Sequence, residues 1–318
     1  MMQKPVILNE ADIDELMAVT DIKAALRTMF VSLSKGQAAQ PPQILSPFPD
    51  NSGDYITYLG ILTEEKVFGA KLSPYIASNG QALVTAWTLL MSMETGAPLL
   101  LCDAKKLTAE RTAATTILAC EVLARDDAAI LTIIGTGALG LAHLKYAQSI
   151  RNWREIRLCS PEVLDLPHNL AFLETDCPVT RYTETDQAIA EADVIMLCTS
   201  SGKPVIDTFS LKDTVLVTSI STNAVNAHEI PPESLNMFDV YCDYRATTPA
   251  IAGEMKLATA AGTWNPDLLC ADLPELLSGQ TDISSLSRPA FFRSVGLGLE
   301  DIAAASALLR TFKNNNQS

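Results

Sequence analysis

The chain has 318 residues, of which 48% are hydrophobic and 19% charged, and its formal net charge is −14. This length predicts two domains around a large buried core, and the acidic balance argues against nucleic acids and anionic membranes as partners. Seven cysteines without CxxC spacing indicate neither a disulfide framework nor a metal site. With no apolar run of about 18 residues and no signal-peptide pattern, we expect a cytoplasmic protein without membrane spans.

The first part of the chain predicts a helix followed by a β meander. Apolar residues recur at helical spacing after Thr20, a candidate N-cap, and the pattern stops at Gly36. Short apolar segments separated by turn residues then predict strands. These predicted strands are 55–59, 67–72, 84–90 and 99–102.

The pattern changes near Leu107, where strands and helices begin to alternate. A helix over 107–123 precedes a continuous apolar strand over 129–134, a glycine-rich turn and a helix over 141–150. Further predicted strands are 155–159, 193–198, 214–220 and 239–242, and a last helix covers 299–312. Such alternation predicts a parallel α/β sheet.

The glycine-rich turn from Gly135 to Gly140 carries the strongest motif. A G-x-G-x-x-G pattern that follows a buried strand and opens a helix is typical of nicotinamide dinucleotide binding. The first glycine permits the tight turn, the second lets the backbone approach a pyrophosphate, and the third lets helix and strand pack closely. We therefore expect the cofactor to contact Gly135, Thr136, Gly137, Ala138 and Leu139.

The end of the second strand of this sheet bears on which dinucleotide binds. An acidic residue there would bond the ribose 2′-hydroxyl of NAD. Here the strand ends at Ser160, and Glu162 comes slightly late. The strand end thus lacks a carboxylate that would repel a 2′-phosphate. Ser160 therefore favours NADP(H), with NAD(H) as the other possibility.

Several segments together identify a family resemblance over essentially the whole length. They are Gly69-Ala70-Lys71, the turn 94–98, the helical segment 107–114, the start of the glycine turn at 134–137, Asp193-Val194-Ile195 with Cys198-Thr199, and Ser294-Val295-Gly296 with Glu300-Asp301. On these residues the chain resembles the ornithine cyclodeaminase and mu-crystallin family. Its members bind NAD(H) or NADP(H) and act on amino acids or cyclic imino acids.

The resemblance implies that Lys71 and Arg111 line the substrate pocket, and that Arg111, Thr112 and Thr199 contact the cofactor. A planar guanidinium can hold an α-carboxylate bidentately, and a buried lysine can place an ammonium beside an imine or a carboxylate. From the residues alone, Arg111 could instead pair on a helix surface, and Lys71 could be an exposed strand residue.

Two positions depart from the family's cyclodeaminases. Gln43 stands where they carry an arginine after a proline pair, and we retain it as a substrate contact. Asn223 stands where they carry a catalytic aspartate. An amide cannot act as the ionised base, although it can orient a ring nitrogen, so Asn223 favours the reductases of the family.

The hypothesis that follows is NAD(P)H-dependent reduction of Δ1-pyrroline-2-carboxylate to L-proline, with the six-membered imine that gives L-pipecolate as a second substrate. In this hypothesis Lys71 and Asn223 are catalytic, and Lys71, water or solvent donates the proton. Three alternatives stay open: ornithine cyclodeaminase, an amino-acid or opine-type dehydrogenase on an open-chain imine, and a crystallin-like protein that stores NADPH and a small ligand.

The remaining polar residues have simpler interpretations. His143, on the helix after the glycine turn, is expected to pack or cap, and His168 is expected in a loop. A catalytic role for His228 is the less favoured reading. Asp243 and Glu254 are expected to be solvated or to support the pocket indirectly. Electrostatics at a helix start accounts for Glu300 and Asp301.

The fold class expected is α/β, with a Rossmann-type parallel-sheet dinucleotide domain and a split α+β domain for substrate binding and dimerisation. Residues 1–120 and 291–318 would form the split domain, and 121–290 the dinucleotide domain. The resemblance implies a homodimer through the split domain, whose sheet edges would otherwise be exposed. The active site is expected between the domains, at the carboxyl ends of the parallel strands.

Overall fold

Two sheets organise the chain, one in each of two compact units. The computed structural model describes residues 4–78, 83–167, 170, 177–222, 224–281, 283 and 288–316. The first unit comprises Met1–Arg111 with Gly296–Ser318, and the second comprises Thr112–Val295. The roles of substrate and cofactor binding assigned to the predicted domains stay a prediction. No helix in the described part of the chain is long and apolar enough to cross a membrane.

The elements follow one another in chain order as strands β1–β16 and helices α1–α9. The strands are β1 (Val6–Leu8), β2 (Ala38–Ala39), β3 (Ile44–Pro47), β4 (Gly53–Leu62), β5 (Val67–Ile76), β6 (Leu83–Val84), β7 (Trp87–Ser92), β8 (Pro98–Asp103), β9 (Ile130–Ile134), β10 (Glu155–Cys159), β11 (Val179–Tyr182), β12 (Val194–Leu197), β13 (Leu216–Ser219), β14 (Asp239–Cys242), β15 (Leu269–Asp272) and β16 (Ala290–Arg293). The helices are α1 (Glu10–Met17), α2 (Ile22–Ser34), α3 (Lys105–Leu123), α4 (Ala138–Ala147), α5 (Thr185–Ile189), α6 (Thr248–Ile251), α7 (Gly253–Ala261), α8 (Leu273–Leu277) and α9 (Gly298–Asn315).

The first unit is built on a largely antiparallel sheet in the order β1-β8-β7-β5-β4-β2, with β3 beside β4 and β6 beside β5. Only β1 and β8 pair in parallel among its described strands. Helix α9 packs against β4, β5 and β7. Burial alternates along β7, with Thr88 and Leu90 buried and Trp87 and Leu89 exposed. This alternation is typical of an antiparallel sheet that is covered on one face.

Two glycines bring the start of α9 into backbone contact with β4. A Cβ on Gly298 would lie 2.4 Å from the backbone nitrogen and oxygen of Leu59. A Cβ on Gly60 would lie 2.7 Å from Leu299 Cα. The Leu299 N–H is held by the Gln40 side-chain oxygen at 2.8 Å. Because both glycines lack a side chain, the first turn of α9, which carries two acidic residues, lies directly on this strand.

The second unit contains a parallel sheet in the order β11-β10-β9-β12-β13-β16-β14-β15. Strands β9, β12 and β13 are buried along their whole length, as expected of strands covered on both faces. The chain runs outward from β9 to β10 and β11, then returns to β12 on the other side of β9. In such sheets the ligand crevice lies at the carboxyl ends of the strands where the order reverses.

The predicted class, mixed α/β with a dinucleotide-type parallel sheet, is confirmed, but several elements differ in detail. Asp21, not Thr20, caps α2, because its side chain accepts the Ala24 N–H at 2.9 Å. Strand β16, which lies between β13 and β14, was not predicted and is only four residues long. Helix α1, also not predicted, starts at a capping box formed by Asn9 and Asp12.

Candidate functional site

The glycine-rich turn joins β9 to α4 with close backbone contacts at its first and third glycines. Gly135 has a φ of +100°, and a Cβ there would lie 2.4 Å from the Cys198 carbonyl oxygen. A Cβ on Gly140 would lie 1.8 Å from the Gly135 carbonyl oxygen. Helix α4 begins at Ala138, three residues earlier than predicted, so Gly140 belongs to its first turn. The first and third positions of the motif are therefore fixed by sterics.

The second glycine has a different environment. A Cβ on Gly137 would meet no atom within 4 Å. Gly137 is the N-cap of α4, and no side chain caps the helix start there. Free N–H groups and the positive end of the helix dipole make such a terminus suited to an anion. The turn thus fits the pyrophosphate of a dinucleotide.

A cavity of about 870 Å³ opens beside this turn, within the second unit. Its volume lies in the range of cofactor pockets. The predicted cofactor contacts among its lining residues are Gly135, Thr136, Gly137, Ala138, Leu139, Ser160 and Thr199. Sequence reasoning missed the hydroxyl-bearing residues Thr183, Thr185, Ser200, Ser201, Ser221 and Thr222, which also line it. The structure therefore brings three separate sequence segments of the cofactor prediction to one cavity.

Ser160 lies just after β10, where the cofactor ribose is expected. Its hydroxyl is 2.6 Å from the Thr136 hydroxyl of the glycine turn. Glu162 also lines the cavity, and it is exposed. No lysine or arginine is among the described residues that line the cavity. This end of the cavity thus offers hydroxyl groups and one carboxylate.

The first unit holds a second group of candidate residues, a buried set of four charged side chains that we call the charged cluster: Lys71, Arg111, Glu300 and Asp301. Lys71 Nζ lies 2.8 Å from Asp301 Oδ2. Arg111 Nε lies 2.9 Å from Asp301 Oδ1, and Arg111 Nη1 lies 2.7 Å from Glu300 Oε2. Two cations and two carboxylates therefore balance in charge.

Elements distant in sequence build the charged cluster. Lys71 comes from β5, Arg111 from α3, and the two acids from the first turn of α9. Lys71 also donates to the Thr108 hydroxyl at 3.3 Å, and it lies 4.3 Å from the centroid of the Tyr58 ring. The alternative of an exposed Lys71 and a surface Arg111 is wrong, because both are at most 4% exposed.

Gly296 lies close to the Arg111 guanidinium. It has a φ of +76°, and a Cβ there would lie 2.6 Å from Arg111 Nη1. A side chain at this position would both strain the backbone and displace the guanidinium. The glycine in the Ser-Val-Gly segment therefore leaves room for the charged cluster.

Burial and charge act against each other on the two cations. Burial lowers the pKa of the Lys71 ammonium to about 8, although the neighbouring Asp301 carboxylate acts to raise it. Burial also disfavours the charged Arg111 guanidinium, but Asp301 and Glu300 outweigh it, and the pKa of Arg111 rises. Both side chains are therefore cations at neutral pH, and Lys71 is the one that can lose its proton within an ordinary pH range.

The other predicted residues are placed as follows. Thr112 is buried in the second unit and is not among the residues that line the cavity. Gln43 is partly exposed and precedes β3. Asn223 and His168 lie outside the described residues. The roles assigned to these residues stay predictions.

The simpler interpretation is correct for His143 and partly wrong for Asp243 and Glu254. His143 is buried and packed as expected, with Nδ1 2.7 Å from the Leu139 carbonyl oxygen and Nε2 2.9 Å from the Thr116 hydroxyl. Asp243 and Glu254 are fully buried, so the solvated reading of these residues is wrong. Glu254 lies 2.9 Å from Arg293 Nε. No group of metal-binding side chains occurs in the described part of the chain.

The parallel sheet, the glycine turn and the cavity define a nicotinamide-dinucleotide-binding α/β protein. A model of the ornithine cyclodeaminase/mu-crystallin family matches residues 3–316, and the chain belongs to this family. The resemblance inferred from the sequence is thus confirmed. Membership supports an NAD(P)H-dependent imine or amino-acid dehydrogenase, or a cyclodeaminase.

Three known proteins show the range of this similarity. The chain is 51% identical to the NAD(P)H-dependent anabolic L-arginine dehydrogenase DauB of Pseudomonas aeruginosa, over 96% of this chain and 97% of that protein. It is 26% identical to a Δ1-pyrroline-2-carboxylate reductase of Bacillus cereus, over 82% of each chain. The structure of Thermococcus litoralis Δ1-pyrroline-2-carboxylate reductase with NADH and L-proline has a TM-score of 0.87, at 21% identity and 98% coverage of each chain. The similarity to the Thermococcus litoralis structure establishes the fold.

Proposed function

We propose that this protein is an NAD(P)H-dependent dehydrogenase that makes L-arginine from the open-chain imine of 2-oxo-5-guanidinopentanoate. The observation that carries the proposal is the 51% identity to an L-arginine dehydrogenase over almost the full length of both chains. The charged cluster supports it, because an α-imino acid carries a carboxylate that needs cationic partners. The proposal therefore favours the open-chain dehydrogenase alternative over the cyclic-imine reductase.

The reaction balances in two steps. Ammonia condenses with the 2-oxo acid and releases water, which leaves the imine. A hydride added to Cα and a proton added to nitrogen then give the amino acid. Bound NAD(P)H supplies the hydride. The protein's task is to bind the carboxylate, to keep the imine protonated and to hold Cα in place.

In this proposal Arg111 binds the substrate carboxylate. A guanidinium has five N–H donors, and Asp301 and Glu300 engage Nε and Nη1. These two ion pairs orient the guanidinium plane before substrate arrives, and we assign the remaining donors to the carboxylate. Lysine could not replace arginine here, because an ammonium lacks the planar fork.

Lys71 supplies a second positive charge in the proposal. Its ammonium can pair with the carboxylate or donate a proton to the imine nitrogen, and both roles require the charged form. A pKa near 8 leaves the ammonium mostly protonated at neutral pH, yet able to release its proton. Asn223 and Gln43 remain candidate contacts to the imine nitrogen and to the carboxylate.

The test is a reductive amination assay with purified protein, ammonium, 2-oxo-5-guanidinopentanoate and either reduced cofactor. We expect the absorbance of the reduced nicotinamide to fall, and chiral chromatography to identify L-arginine. If neither NADH nor NADPH is consumed with this 2-oxo acid, the proposal is wrong.

A second candidate is reduction of Δ1-pyrroline-2-carboxylate to L-proline, with the six-membered imine as a related substrate. The relative from Bacillus cereus and the asparagine at position 223 favour it. The same assay separates the two, because the cyclic imines need no ammonia. Release of proline and ammonia from ornithine without net change in NAD would instead support a cyclodeaminase. A crystallin-like store would bind NADPH and turn over none of these substrates.

We propose that NADP(H) is favoured and that NAD(H) is also accepted. Ser160 supports this preference, since its hydroxyl stands at the strand end where NAD-specific sheets place a carboxylate. Replacing Ser160 by Asp should shift the ratio of kcat/KM towards NADH. An unchanged ratio would argue against this role for Ser160.

We also propose a homodimer formed through the first unit. The face of its sheet opposite to the buried Lys71 and Thr88 presents Phe68, Leu72, Trp87 and Leu89, which are 37–46% exposed. Leu72 and Trp87 are register partners, so their side chains form one apolar patch. Contiguous apolar patches of this kind mark protein interfaces.

A further inference from the structure

Glu229 is fully buried in the second unit, and its carboxylate connects two loops. Oε1 accepts hydrogen bonds from the Thr199 N–H at 2.8 Å and from the Thr199 hydroxyl at 2.7 Å. Oε2 accepts from the Ser219 hydroxyl at 2.7 Å and from the Ser221 N–H at 2.9 Å. One side chain thus fixes the chain directly after β12 and directly after β13.

Both loops line the dinucleotide cavity, whereas Glu229 itself is not among the lining residues. Thr199 to Ser201 contribute from the first loop, and Ser221 and Thr222 from the second. Ser221 has a φ of +48°, a left-handed conformation that costs energy for any residue other than glycine. The hydrogen bond from its N–H to the carboxylate offsets this strain and holds the loop in place.

The position of these loops in the sheet indicates which half of the cofactor they meet. Strands β12 and β13 lie on one side of β9, and β10 lies on the other. In a doubly wound dinucleotide sheet the adenine ribose is read at the end of the strand equivalent to β10. The loops held by Glu229 therefore belong to the half of the cavity that takes the nicotinamide.

We propose that Glu229 is a positioning residue for the nicotinamide half of the cofactor. It acts through Thr199 and Ser221 and does not touch the cofactor itself. This inference rests on the proposed dinucleotide function, but not on which imine is reduced. Its loss should weaken NADH and NADPH alike, because the 2′-phosphate belongs to the adenine half.

The test is Glu229→Gln, measured by cofactor binding instead of turnover. An amide has only one acceptor oxygen. Its NH2 group would therefore face the N–H of either Thr199 or Ser221, and because both groups are donors, no hydrogen bond forms between them. Losing at least one pair of charge-assisted bonds should raise the Kd of NADH and of NADPH about tenfold or more. The fluorescence of the reduced nicotinamide measures both Kd values. Adenosine diphosphate, which lacks the nicotinamide half, is measured by competition, and its Ki should change by less than about twofold.

Asp272→Asn is the matched control. Asp272 is a buried carboxylate of the same unit that accepts the N–H groups of Arg245 and Glu275, and it does not line the cavity. This substitution should lower Tm and leave both cofactor Kd values unchanged. Glu229→Asp is the second variant, since it keeps the charge but is one methylene too short to reach both loops.

The outcomes separate the two proposals. The positioning role is wrong if a folded Glu229 variant binds NADH with the Kd of the wild type. It is also wrong if the affinities for NADH and for adenosine diphosphate fall equally. If Glu229→Gln does not fold, Glu229→Asp gives the same readout. Failure of the wild-type protein to bind either reduced cofactor would instead contradict the proposed function.

Discussion

The Lys71 ammonium lies 2.8 Å from the Asp301 carboxylate, and both side chains are almost fully buried. Because burial lowers the pKa of Lys71 to about 8, its proton is lost at a pH where exposed lysines keep theirs. If the ammonium takes part in binding or in proton transfer, kcat/KM for the 2-oxo acid falls as the pH rises through about 8.

Lys71→Arg is the matched variant for this pH profile. An arginine keeps its charge throughout the range, so the alkaline decline should disappear even if the overall rate is lower. A decline of the same shape in both proteins would assign it to another group. The measurement is kcat/KM against pH for wild type and variant under one buffer series.

Charge balance within the charged cluster predicts the effect of Asp301→Asn. The substitution leaves Lys71 and Arg111 with a single carboxylate, and an unpaired buried charge costs about 3–5 kcal/mol. Asp14→Asn is the control, because Asp14 pairs with Lys106 on the surface, where solvent screens the attraction and the pair contributes little. Denaturant unfolding of the three proteins measures both differences. Equal, small effects would mean that the charged cluster is not needed for stability.

The glycines of the turn should respond differently to alanine. At Gly140 the new methyl group meets the Gly135 carbonyl oxygen, so Gly140→Ala should destabilise the cofactor-free protein by about 1–3 kcal/mol. At Gly137 no atom stands in the way, and the loss of stability should stay below about 1 kcal/mol. Gly137→Ala should weaken cofactor binding nonetheless, because the methyl group would fill open space that the second glycine of this motif leaves for a pyrophosphate. Thermal unfolding and fluorescence titration test the contrast, and a Gly137 variant with unchanged Kd contradicts it.

His143 makes stability depend on pH. Burial lowers its pKa to about 4, against 6.5 for the free group. The unfolded chain therefore binds a proton that the folded chain excludes, and the free energy of unfolding falls as the pH drops from about 6.5 to about 4. His143→Gln should give a shallower slope over this window, measured by urea unfolding. Parallel slopes would show that other groups dominate.

The apolar patch of the first unit predicts how assembly can be broken. Replacing Leu72 by Glu places a charge at the centre of the proposed dimer face and should give a monomer in analytical ultracentrifugation. Phe209→Glu is the control, since Phe209 is an exposed aromatic residue of the second unit. Retention of a dimer by Leu72→Glu would place the interface elsewhere.

Sequence alone predicted the parts of the molecule that depend on local chemistry. The glycine turn was predictable because each glycine meets a backbone requirement of a strand-to-helix turn, and the sequence itself predicts the strand and the helix on either side. Ser160 and Thr199 follow strands that the sequence predicts. Because the carboxyl ends of parallel strands lie at one edge of a sheet, their position in the same cavity was also predictable.

The partners of Lys71 and Arg111 were not predictable in this way. Glu300 and Asp301 have the pattern of acids at a helix start, and only the close approach of α9 to β4 turns them into buried counter-charges. Strand β16 was missed although three strands of the same length, β12, β13 and β14, were predicted. Its place between β13 and β14 is set by pairing with those neighbouring strands. Glu229 gave no local signal, since its four bonds join two loops.

The charged cluster has a consequence for the order in which the protein matures. Arg111 and its partner Asp301 are 190 residues apart, with the entire second unit between them in the chain. During synthesis the ribosome releases β5 and α3 long before α9 emerges. The two cations therefore have no counter-charges from α9 until the second unit has been synthesised, and the first unit cannot complete the charged cluster before then.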